Sequence, residues 1–251
     1  MIASLPMYDR PETAAANDAL WQGIRNALGT GPVHLTREGD LWDHWQSPDL
    51  LLSQTCGYPY RARLHGQVTL VGSPVLDLPD CPPGYYYSVF VVRADDPRTD
   101  PQEFATARLA YNDALSQSGW AAPQNWAAAR GFAFTTPIHT GAHRASALAV
   151  AEGRADIAAL DALTWKLMQA HDPFTARLRV LARTNPTPTL PYITALGRDA
   201  DAMRAAVAHA IVALPSDTRA TLGLKGVTFI AATDYLAQPN PAPPPLSAPP
   251  N

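Results

Sequence analysis

The chain has 251 residues, 47% of them apolar, with 19 basic against 22 acidic side chains and a net charge of -3. That apolar content supports one large α/β domain or two lobes of about 100 to 150 residues and excludes disorder of the body. No run of Lys or Arg tracks a phosphate backbone, and every apolar stretch is broken short of the roughly 20 residues that span a bilayer, so neither nucleic acid nor a membrane span is expected.

Met1 to Met7 reads as the first strand, with no basic or apolar export segment ahead of it. Further strands are expected at Leu50 to Ser53, Val68 to Val71, Ser88 to Arg93, Arg108 to Tyr111, Phe132 to Thr135, Asp156 to Leu160, Arg179 to Ala182 and Tyr192 to Ala195. Amphipathic segments between them predict helices at Thr13 to Leu28, Ala121 to Ala129, Ala145 to Ala151, Ala162 to Ala170 and Asp199 to Val212. Gly153 closes one helix and Pro173 ends the next. Strand followed by helix, repeated, implies mostly parallel sheets flanked by helices. These are too many strands for one compact sheet, so two lobes are expected, at 1–89 plus 191–236 and at 90–190, with two hinge strands and a ligand cleft between them. Residues 237–251 are Pro-rich and predict an extended, mobile tail without a role.

Hydroxyls and a His stand repeatedly where strands turn into helices. Asn112 precedes Ser116-Gln117-Ser118-Gly119, and Thr140-Gly141-Ala142-His143 precedes Ser146. A helix start carries unpaired N–H groups and a partial positive charge, so neutral hydroxyls beside it form an anion site without Lys or Arg. Asp161 falls at a strand end, where it faces a ligand or caps the next helix. His34, His44, His65, His139, His171 and His209 show no metal-ligand spacing, and no glycine-rich nucleotide loop follows the first strand, so no metal or other cofactor is expected. The two cysteines, Cys56 and Cys81, read either as a pair closed in an oxidising compartment or as two buried thiols.

The order of Ser53-Gln54-Thr55-Cys56-Gly57-Tyr58-Pro59, Tyr86-Tyr87-Ser88, Asn112 with Ser116-Gln117-Ser118-Gly119, Thr140-Gly141-Ala142-His143 and Gly153-Arg154-Ala155-Asp156 resembles the phosphate, phosphite and phosphonate binding proteins of ABC transporters. The resemblance runs from about Ala3 to Tyr235. It implies the two-lobed type II periplasmic binding protein fold, a small anionic ligand, an ABC permease as partner, a monomer and a periplasmic location, with the cytoplasm as the alternative. It places the anion on Ser116, Gln117 and Ser118, where Gln117 stands in place of the family's middle hydroxyl. It assigns His143 as a ligand contact, Asp161 as the partner of a ligand amino end, and Tyr8, Tyr58 and Tyr86 or Tyr87 as phenol donors and walls. It also implies a disulfide between Cys56 and Cys81.

Two other functions fit the same residues. One is an enzyme on this fold, related to thiamine or pyrimidine metabolism, with Cys56 as nucleophile beside His143 and Asp161. The other is a stand-alone cytoplasmic ligand sensor. Binding without catalysis is the expected function.

Overall fold

The computed structural model describes residues 1–245; residues 246–251, with Pro249 and Pro250 of the tail, lie outside the described residues. The chain divides into two compact units, one of Met1–Tyr86 with Pro186–Gln238, the other of Tyr87–Asn185 with the tail from Pro239. The crossings fall a few residues before the expected boundaries. Two short strands, β4 (Tyr85–Tyr86) and β10 (Thr187–Pro188), pair antiparallel just before and just after them.

Unit 1 is built on strands β1 (Ile2–Ser4), β2 (Leu50–Gln54), β3 (Val68–Leu76), β11 (Tyr192–Ala195) and β12 (Leu224–Thr228), in the order β1-β2-β11-β3-β12. Strand β2 is buried at every position, as a continuous apolar run covered on both faces requires. Leu50 joins Trp45, Tyr60, Leu64 and Ile193 in one cluster. Leu51 joins a second, with Trp21 and Ile24 of α1 (Ala14–Leu28) and Val207 and Ile211 of α7 (Ala200–Ala213). The two helices touch closely, because a Cβ on Gly23 would stand 3.1 Å from Ala210 Cβ.

The last helix of unit 1, α9 (Ala232–Leu236), is fixed by one side chain. Tyr235 is 1% exposed, and its hydroxyl lies 2.7 Å from Ser73 Oγ and donates to the Thr189 carbonyl at 2.8 Å. Burial pushes its pKa up, so the phenol stays neutral.

Unit 2 holds β5 (Ser88–Arg93), β6 (Arg108–Tyr111), β7 (Thr136–His139), β8 (Ile157–Asp161) and β9 (Leu178–Arg183), in the order β7-β6-β8-β5-β9. Arg108 clamps β6 to the entry of β8: its guanidinium donates to Asp156 at 2.9 and 3.0 Å and to the Gly153 carbonyl at 2.9 Å. The pairing with Arg108 holds the Asp156 carboxyl below its ordinary range. Gly153 sits at φ 75, in the left-handed region a turn out of α5 (His143–Ala151) demands.

The α/β class is present, but the pairing is mixed where mostly parallel sheets are expected. β1 with β2, and β6 with β7 and β8, run parallel. The strands that enter each unit from the other, β5 and β11, lie inside their sheets and run antiparallel to both neighbours. The strand expected at Phe132 to Thr135 lies instead at Thr136–His139. Its predecessor is engaged by a side chain, for Gln124 donates to the Phe134 carbonyl at 2.9 Å and accepts from its N–H at 3.2 Å. No helix among the described residues is long and apolar enough to cross a membrane.

The tail also departs from expectation. Pro239 and Ala242 accept side-chain hydrogen bonds from unit 2, so this part of it is bound rather than loose.

Tyr235→Phe removes one hydroxyl from a sealed pair of partners. It should lower stability by about 1–3 kcal/mol, read as an earlier midpoint in urea; an unmoved midpoint would mean that Ser73 and Thr189 find other partners.

Candidate functional site

In unit 2 the chain leaves β6 at Tyr111, passes Asn112 and turns into a helix at Ser116. That helix opens as a wide π-type turn over Gln117–Ala121 and continues as α4 (Ala122–Ala128). Ser116 caps it, its Oγ accepting from the Gly119 N–H at 3.0 Å. Ser116, Gln117 and Ser118 are all buried, at 6%, 2% and 4% exposure. The turn lies hard against Asn112, so that a Cβ at position 119 would stand 1.9 Å from Asn112 Oδ1 and 3.3 Å from His143 Cε1. Only glycine fits there.

His143 opens α5. Its Nε2 lies 2.8 Å from Ser118 Oγ, while its Nδ1 is buried without a hydrogen-bond partner among the described residues. The Asn112 amide oxygen is buried and, among the described residues, equally unpartnered. The Ser118 carbonyl accepts from Ser88 Oγ at 3.0 Å, which ties the turn to the start of β5. The structure therefore brings Ser116, Gln117, Ser118 and His143 together, with Asn112 and Gly119 between them. Asn112 and Ser88 lie in the quoted motifs, yet nothing in the sequence marks them as contacts of this turn.

The neighbouring polar residues have structural work. Thr140 Oγ1 donates to the Tyr111 carbonyl at 2.9 Å and lies 2.6 Å from Ser146 Oγ, which pins the entry to α5. Asp161 caps α6 (Ala162–His171), its Oδ1 accepting from the Thr164 N–H at 2.9 Å. A nucleophilic triad needs a carboxylate on the outer ring nitrogen of its His. Among the described residues His143 Nδ1 has no such partner.

The tyrosines divide between the units. Tyr8, Tyr58 and Tyr86 belong to unit 1 and Tyr87 to unit 2. The Arg61 guanidinium lies 4.3 Å over the Tyr58 ring, and burial lowers its pKa. Arg183 lies 5.3 Å over Tyr87. Cys56 and Cys81 both belong to unit 1 and are half-buried.

Burial lowers the His143 pKa from 6.5 to about 4, so the imidazole is neutral at neutral pH. Between those values the unfolded chain binds a proton that the folded chain excludes. Its contribution to stability is therefore complete above pH 6.5 and is lost as pH falls towards 4. His143→Gln removes this titration, and urea unfolding at about pH 7 and about pH 4.5 should show a smaller stability gap in the variant than in the wild type. Equal gaps would place the acid sensitivity elsewhere.

The fold has many solved counterparts. PhnD1 from Prochlorococcus marinus, in complex with methylphosphonate, matches with a TM-score of 0.72 at 15% identity over 94% of each chain. A binding protein component of an ABC phosphonate transporter from Pseudomonas aeruginosa matches with a TM-score of 0.70 at 15% identity, over 94% of this chain and 82% of that one. XAC2383 from Xanthomonas citri, bound to chloride ion, matches with a TM-score of 0.66 at 15% identity over 93% of each. No curated sequence matches the chain. The model of the phosphonate periplasmic substrate-binding proteins of ABC transporters matches residues 52–235, which take in the capped turn, His143 and both crossings. The chain belongs to that family of phosphonate-binding periplasmic substrate-binding proteins.

Proposed function

We propose that this chain is the solute-binding component of an ABC-type uptake system, working in the periplasm as a monomer that delivers its ligand to a membrane permease. The ligand in this reading is a small phosphorus oxyanion, phosphate, phosphite or phosphonate, held by Ser116, Gln117, Ser118 and His143. The observation that carries it is the proton count of the Ser118–His143 pair, 2.8 Å apart. A hydroxyl and a neutral imidazole own two polar hydrogens, and their mutual bond uses one. Whichever way that bond runs, either the Ser118 O–H or the His143 Nδ1–H is left to donate outward. Placed at a helix start, a spare donor favours an anion.

Asn112 Oδ1 supports the phosphorus class. A buried acceptor among donors fits a ligand that also carries an O–H, as singly protonated phosphate and phosphonates do and sulfate does not. Tyr8, Tyr58, Tyr86 and Tyr87 supply walls and phenol donors in this reading. Asp161 favours a ligand with an ammonium end, because a carboxylate near a bare anion is repulsive. No reaction is catalysed.

A thermal-shift screen with phosphate, phosphite, methylphosphonate, 2-aminoethylphosphonate and sulfate tests this. A phosphorus oxyanion at about 100 times its dissociation constant should raise the midpoint by about 5 °C or more, sulfate should not, and Ser118→Ala should abolish the shift. A flat response to every phosphorus anion would sink the reading. Asp161→Asn keeps a capping side chain and removes the charge, so it should erase any preference for 2-aminoethylphosphonate over methylphosphonate in titration calorimetry. A preference that survives would clear Asp161 of that role.

A further inference from the structure

The Pro-rich tail is a sequence feature the anion site does not use. Helix α9 closes with the Ala237 and Gln238 N–H groups on the Thr233 and Tyr235 carbonyls, and the next residue, Pro239, already belongs to unit 2. The Pro239 carbonyl accepts from Asn125 Nδ2 at 2.9 Å, and the Ala242 carbonyl accepts from Trp120 Nε1 at 3.0 Å. The two carbonyls are three residues apart, one turn of an extended polyproline helix, and so share a side. Pro241 and Pro243 line a groove there with Trp120, Asn125, Ala128 and Phe134. A proline-rich chain is already extended and loses little entropy on docking, its prolines have no N–H to satisfy, and its carbonyls accept from groove donors.

Trp120 makes this contact matter. It belongs to the turn Gln117–Ala121, its backbone follows Gly119 directly, and its ring packs 5.1 Å from Tyr111 at the end of β6. The strap thus grips through Trp120 the same turn whose Ser118 meets His143. We propose that residues 239–245 are a built-in strap that holds this turn in its ligand-ready form, so that strap docking and anion binding reinforce each other. The coupling rests on the anion reading above; the docking does not. By linkage, whatever factor the strap adds to anion affinity, the anion adds to strap docking. The groove is a proline-recognition surface whose ligand is residues 239–245 of the same chain.

The test uses the full-length chain. Hydrogen exchange of the Trp120 indole N–H is followed by NMR, its signal being the one absent from Trp120→Phe. Pro241→Gly with Pro243→Gly loosens the strap without touching the anion site, and should speed that exchange about tenfold or more. Equal rates in wild type and double variant overturn the strap. Methylphosphonate should slow the exchange in the wild type and bind the double variant at least about fivefold more weakly by calorimetry. Fast exchange with unchanged affinity overturns the coupling and leaves the docking standing. If neither methylphosphonate nor phosphate binds the wild type, the anion reading fails and takes the coupling with it, and the exchange rates alone then decide the strap.

Discussion

At position 119 the backbone passes so close to Asn112 that a methyl group would lie 1.9 Å from its amide oxygen. That approach sets the rest of unit 2 around it. It brings the start of the helix over Gln117–Ala121 against the end of β6, which puts Ser118 within reach of His143 at the start of α5 and of Ser88 at the start of β5. The end of β6 and the starts of β5 and α5 converge on a segment six residues long. A longer side chain at 119 would drive the turn off Asn112 and part the hydroxyl from the imidazole.

The donors assembled there are neutral. Around the turn stand hydroxyls, amides, a backbone start and an uncharged imidazole, while the guanidiniums of unit 2 work elsewhere. Arg108 holds Asp156, and Arg98 pulls the Asp96 pKa down to about 2. Arg144 reaches back to Asp172 at 2.8 Å. A site of neutral donors distinguishes ligands by how many hydrogen bonds each can complete and less by charge alone. Among the described residues, Nδ1 of His143 and Oδ1 of Asn112 are two places where that count is still open.

Much of this was legible in the sequence, for specific reasons. β5, β6 and β11 fall where the apolar runs place them, because each lies inside its sheet and needs side chains that tolerate burial on both faces. β12 escaped notice: Lys225 and Gly226 interrupt it, and at the sheet edge its residues are buried only in part. The helical stretch from Gly57 to Leu64 was hidden by Pro59, which reads as a breaker but sits in the first turn, where its missing N–H costs nothing. The hydroxyls before helix starts mark the segments that the fold draws together, but their roles depend on partners that spacing alone does not name. Ser118 acquires its meaning from His143, Thr140 from Ser146 and Asp161 from the helix it caps. The tail's composition indicates extended backbone, and it cannot indicate that Trp120 and Asn125 stand ready to meet two of its carbonyls.

The Gln124 side chain has an effect beyond its two hydrogen bonds to Phe134. β7 is an edge strand, carrying Pro137 opposite Leu109, and the residues just before it would otherwise extend that edge with unpaired backbone groups. By occupying the Phe134 N–H and carbonyl, the amide of Gln124 acts as a one-residue false strand that ends the ladder. Pro137 then denies a donor further along. Together they leave fewer free backbone groups along this edge for a neighbouring chain to pair with.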